Sequence, residues 1–181
     1  MKHIDFRHFS SKLTHKHNIG LKWFRSMNNK NGEFFYQHVP NIDEKVSLFS
    51  AEAGLYKPKD SDYILSIKET TGKKRTHTHE HIPLLKLDDG SSIYLYHHEL
   101  NEELNAVERA MKRNIEEEVP IGIAIEVESP DSRLRYDYKI GFVYGWYKNY
   151  YVIHCVNDDL NIEDDLSDKK LSSIFDRVKK K

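Results

Sequence analysis

Residues 120–156 read "PIGIAIEVESPDSRLRYDYKIGFVYGWYKNYYVIHCV", and this run decides the fold class. Three segments rich in β-branched and aromatic residues, 121–128, 135–146 and 150–156, are separated by the turn-forming stretches "SPDSR" and "YKN". Working outward, further short strands are expected at 46–50, 63–70, 84–87 and 92–98, the last two joined by the Asp-Gly turn of "LDDGSS". One helix interrupts them. In "NEELNAVERAMKRNIEEE" Leu104, Val107, Met111 and Ile115 recur at helical spacing, Asn101 is the expected N-cap, and Pro120 stops the helix and opens the next strand.

The ends of the chain read differently. Before residue 28, Ile4, Phe6, Phe9 and Leu13 suit one helix, and Ile19, Trp23, Phe24 and Met27 a second, with Gly20 and "THKHN" between the two sets. After an acidic stretch at 157–168, Leu166, Leu171, Ile174 and Phe175 mark a C-terminal amphipathic helix. One helix among many short strands points to an α+β fold: a small, strongly curved antiparallel or mixed β-barrel with one inserted helix. The expected organisation is a basic helical appendage over 1–33, the barrel over 34–157, and an acidic linker with a helix over 158–181.

Composition narrows the function classes. With 38% hydrophobic and 31% charged residues, the chain of 181 residues is polar but foldable. No apolar run approaches a membrane span, the N-terminus lacks the apolar core of a signal peptide, and the lone Cys155 forms no internal disulfide, so a cytoplasmic location is expected. Eleven tyrosines exceed what a core of this size needs and suit recognition surfaces. The net charge of −1 conceals an asymmetry, because residues 1–30 hold seven lysines and arginines against Asp5 alone. Such a stretch suits a polyanion, although a solvated helix face is the commoner meaning of a charge run.

Several chemistries can be weighed residue by residue. In "KKRTHTHEH" the imidazoles of His77, His79 and His81 share one side of an extended strand, which leaves a metal-dependent hydrolase open as an alternative. No second metal motif accompanies them, and Glu80 points the other way, so neither metal nor cofactor is expected. A nuclease centre would need an acid where the strand before Lys68 carries Ser66. Cys155 and His154 are adjacent strand residues facing opposite sides, which rules out a dyad. What remains is a recognition surface: Lys68, Lys73, Lys74 and Arg75 with His77 and His79, followed by Tyr94, Tyr96, His97 and His98. Cations neutralise phosphates, and aromatic rings stack on bases or wall a pocket. A protein-binding inhibitor module, docking an acidic partner on the same stripe, also stays open.

Four segments recur in one order in a known group: "AGLYKPKDSDYILSIKET", "DGSSIYLYHHE", "NAVERAMKRNIEEEVPIGIAI" and "YKIGFVYGWYKNYYVI". Over residues 46–156 the chain resembles the modified-DNA-reading domains of HNH-type modification-dependent restriction endonucleases. The matching positions are Gly54, Tyr56, Lys57 and Pro58, then Ser66, Ile67 and Lys68, then Asp89, Gly90, Tyr94, Tyr96, His97 and Asn105. Val119, Pro120, Ile121, Gly122, Gly141 and Trp146 complete them. The resemblance implies a PUA/SRA-like barrel that binds double-stranded DNA and inspects 5-methyl- or hydroxymethylcytosine or a backbone phosphorothioate. It makes Lys57, Lys68 and Pro120 the leading contacts. No HNH motif stands in this chain, so the expected partners are modified DNA and a nuclease domain or subunit. No catalysis is expected from the chain alone, and a homodimer stays open.

Overall fold

The computed structural model describes residues 2–3, 5–30, 35–69, 84–127, 135–162, 166 and 168–178. In chain order the elements are β1 (Lys2–His3), α1 (Arg7–Ser10), α2 (His15–Met27), β2 (Leu55–Tyr56) and β3 (Ser66–Glu69). Then come β4 (Leu85–Lys86), β5 (Ser92–His97), α3 (Ala106–Glu116), β6 (Ile121–Val127) and β7 (Arg135–Tyr147). The chain continues through β8 (Tyr150–Cys155), β9 (Asn161–Ile162) and α4 (Asp168–Val178).

The run 120–156 forms the middle of the molecule. Strands β6, β7 and β8 pair antiparallel in sequence order, and β7 turns into β8 through Lys148 and Asn149, both in the left-handed region. Two consecutive left-handed residues are what a tight hairpin demands. The full sheet has seven strands in the order β2-β3-β6-β7-β8-β5-β4, with β3–β6 the one parallel pair. A separate two-stranded ladder joins β1 to β9. Gly90, at φ +81°, makes the expected Asp-Gly turn between β4 and β5.

Alternation along the strands divides the core between the two faces. Ile121, Ile123 and Ile125 look one way with Ile67, Tyr94, Tyr96, Tyr151 and Ile153, and Ala110 and Met111 of α3 cover them. Ala124, Tyr136, Tyr138 and Ile140 look the other way, against Leu21, Trp23 and Phe24 of α2. On that same side Ile93, Leu95 and Val152 pack on Leu171, Ile174 and Phe175 of α4. The basic N-terminal segment therefore carries core side chains: Phe24 is fully buried, and Trp23 meets Tyr138 edge-on at 4.9 Å.

The sheet is strongly curved, as expected, but it does not close into a barrel. Tyr94 on β5 donates a short hydrogen bond to Glu69 on β3, four strands away. In a flat sheet strands that far apart stand roughly 19 Å from one another, beyond any such bond. A Cβ at Gly54 would likewise collide with the Tyr96 hydroxyl. The α3 face is thus concave and the α2 face convex. Closure would need β2 and β4 to pair, and among the described residues they do not.

Local chemistry shifts several expected boundaries. Asn105, not Asn101, caps α3: its side chain accepts from Val107 and Glu108 N–H, and Glu108 accepts from Asn105 N–H to complete a capping box. Asn101 instead donates to Glu108 at 2.8 Å. The first helical break falls before Thr14, which caps α2, and Gly20 lies inside that helix because Leu65 packs there, 2.8 Å from where a Cβ would stand. Residues 46–50 make a single bridge, Ser47 to His38, rather than a strand. Strand β3 starts late because Asn114 supplies both bonds to the Ile64 backbone and so occupies a strand partner's place.

Candidate functional site

The residues expected to contact DNA take different places in the structure. Lys73, Lys74, Arg75, His77 and His79 lie outside the described residues, as does His81 of the metal alternative. Tyr94 and Tyr96 are buried in the concave core, and Pro120 is buried where the chain leaves α3 for β6. Burial drives the Tyr94 hydroxyl far above its ordinary range, with the adjacent Glu69 acting the same way. A ring so enclosed fills space rather than meeting a partner.

Two of the expected lysines are tied to the backbone. Lys57 Nζ donates to the carbonyls of Ser61 and Pro58, which pins the loop after β2. Lys68 Nζ donates to Ser50 O at 3.2 Å and lies 5.5 Å from the Phe35 ring centroid. Both act as ties between the sheet and its loops. His98 Nε2 donates to Glu108 at 3.0 Å and stacks on Tyr151, and His97 meets Tyr150 edge-on. Glu108 is pulled up by burial but held below the ordinary carboxylate range by the bonds from Asn105, His98 and Asn101.

Tyr56 and Trp146 keep accessible surface. Trp146 is 39% exposed, and its indole N–H donates to His98 O at 2.9 Å. It shares the β7–β8 tip with Tyr144 and Tyr147, also exposed, where a bulge between Val143 and Gly145 re-aims Tyr144. Tyr56 is half-buried and lines a cavity of about 240 Å³ on the convex side.

That cavity is the candidate site. Lys16 comes from the first turn of α2, Lys45 from the loop before β2, and Lys59 from the turn after it. Val46, Tyr56, Pro58 and Leu65 supply apolar wall, Ser47 a hydroxyl, and Asp60 one carboxylate. Lys16 reaches Glu44 at 3.4 Å, an exposed pair of little strength. Lys45 and Lys59 make no ion pair or hydrogen bond among the described residues. Lys45 and Lys59 escaped the sequence reading. "YKPKD" was the available signal, but the lysine chosen there was Lys57, which folds back onto Ser61.

His17 of α2, next in sequence to Lys16, is fully buried, with Nδ1 2.8 Å from Ser61 Oγ and Nε2 without a partner among the described residues. Burial lowers its pKa to about 4, against a smaller opposing pull from Asp60, so the ring is neutral at pH 7. It braces the 58–61 turn against α2.

Cys155 is fully buried, burial pushes its thiol up to about 12, and His154 on the other face contacts Ser91 at 2.8 Å. No group of three His, Cys, Asp or Glu that could hold a metal exists among the described residues. No described helix is long and apolar enough to cross a membrane. No family model, curated protein or solved structure matches the chain.

Proposed function

We propose that this chain is a double-stranded DNA-binding module that inspects a modified nucleotide and serves as the specificity part of a restriction or defence system. The observation that carries the reading is the convergence of Lys16, Lys45 and Lys59 on one cavity beside Tyr56, two of them without a carboxylate partner among the described residues. Like charges gathered at one place repel, and among the described residues neither Lys45 nor Lys59 pairs with Asp60, the carboxylate that shares their cavity. An external phosphate offsets that repulsion, and its binding releases counterions from the duplex. The lysines position the backbone, while the half-buried Tyr56 offers a ring face against which a methyl group or a sulfur can rest.

The strongly curved sheet, with α3 in its hollow, is compatible with a PUA/SRA-like barrel left open at one seam, and the order of the four sequence segments favours the same class. Cutting then belongs to a nuclease domain or subunit working with this module in the cytoplasm. The test is fluorescence anisotropy on matched duplexes, unmodified or carrying 5-methylcytosine, 5-hydroxymethylcytosine or a phosphorothioate, at two salt concentrations. Tighter binding to one mark, weakening as salt rises, is expected. Equal and weak binding to all four would refute the reading.

A further inference from the structure

Helix α2 carries five basic side chains, two lysines, one arginine and two histidines, and not one acid in thirteen residues. His15, Lys16, Lys22, Arg25 and Ser26 are exposed, while His17, Leu21, Trp23 and Phe24 face the core. Lys16 and Arg25 are nine residues apart. At 100° and 1.5 Å per residue they stand on opposite flanks of the helix, roughly 13 Å apart along its axis. His15 and Ser26 fall on the crest between them, and Lys22 lies on the Arg25 side of it.

Each flank opens on its own cavity. Lys16, with Lys45 and Lys59, lines the one already described. Lys22, Arg25 and Ser26 line a second, of about 560 Å³, with Asn28, Asp158 and Leu160. Neither the Lys22 nor the Arg25 side chain forms an ion pair or hydrogen bond among the described residues. Arg25 lies over the Phe6 ring at 5.0 Å, which fixes its stem. Asp158, the one carboxylate of this second cavity, already accepts from Asn29 at 2.7 Å.

A stripe with two cationic seats on opposite flanks matches the two backbones that border one groove of a duplex, and a major groove about 12 Å wide admits a helix between them. We propose that α2 is the groove-bridging element. Lys16, Lys45 and Lys59 hold a phosphate of one strand, Lys22 and Arg25 hold a phosphate of the other, and the crest faces the groove floor. This rests on the DNA-binding reading above and adds the element and the groove geometry.

The experiment uses the full chain and a radiolabelled 24-base-pair duplex of about two helical turns, comparing Lys45→Gln/Lys59→Gln with Lys22→Gln/Arg25→Gln. Two readouts are taken: the slope of log affinity against log salt, and hydroxyl-radical protection on each strand. Each double variant should make the slope shallower by about 1–2, since each phosphate contact contributes about 0.9. Each should also erase protection on one strand and leave the other. Thermal melts check folding. Should Arg25→Gln lower the melting point through loss of the Phe6 contact, Lys22→Gln alone carries the second arm, with a slope change of about 1. If the Lys22 variants keep the full slope and both footprints while Lys45→Gln/Lys59→Gln weakens binding, DNA binding stands and bridging by α2 falls. If the unsubstituted chain binds no duplex, both readings fall.

Discussion

His17 couples a single proton to the candidate site. Its ring is buried between α2 and the 58–61 turn, and the folded protein holds it neutral with a pKa of about 4, against an ordinary value of 6.5. The unfolded chain therefore binds a proton between these values that the folded chain refuses, and stability falls as pH drops from 6.5 towards 4. A shift of that size corresponds to at most roughly 3 kcal/mol. Glu108 acts in the same direction further down. Its carboxyl is held low in the fold, so its contribution is present above the ordinary carboxylate range and is lost as pH falls through that range. Urea unfolding at pH 7.5, 6.0 and 5.0 should show declining stability, and His17→Gln should flatten the part between 6.5 and 5. An unchanged pH dependence in that variant would remove His17 from the account.

At the scale of elements, the α3 cap shows how a local residue can override a periodic pattern. Leu104 lies outside the helix that its spacing suggested, because the Asn105 and Glu108 side chains together satisfy the free N–H groups one turn later. Replacing Asn105 with Ala should cost about 1 kcal/mol, within a range of about 0.5–2 kcal/mol, read as a lower urea midpoint at unchanged slope. No loss at all would mean that water caps the helix equally well. The strands of 120–156 were legible from their β-branched and aromatic runs and from "YKN", whose Asn149 tolerates the left-handed backbone it adopts. The 46–50 segment was not, since its β-branched and aromatic residues answer to burial: Val46, Leu48 and Phe49 are core side chains with a single bridge to hold them. Among the lysines, charge was legible but direction was not. Lys57 and Lys59 are equivalent in sequence, and only the turn that brings Ser61 O towards Lys57 separates the tie from the lysine left without a partner among the described residues.

The curvature of the whole sheet decides which face remains for a partner. Tyr94 and Tyr96 alternate with apolar residues on β5, a pattern equally suited to a core and to a recognition surface. Long-range geometry separates the two, because curling brings β5 over β3 until the Tyr94 hydroxyl meets Glu69. With the hollow packed by tyrosines and α3, the cationic cavities lie on the convex side around α2. Tyr94→Phe therefore separates core from contact. It keeps the ring and removes one buried hydrogen bond to a carboxylate, a loss of about 1.5–3 kcal/mol. Urea unfolding should report that loss, while duplex affinity at fixed salt should stay within about twofold of the unsubstituted chain, since 0.4 kcal/mol or less is all that distant packing should transmit. The opposite outcome, intact stability with weakened duplex binding, would make Tyr94 a contact and place the reading surface inside the hollow.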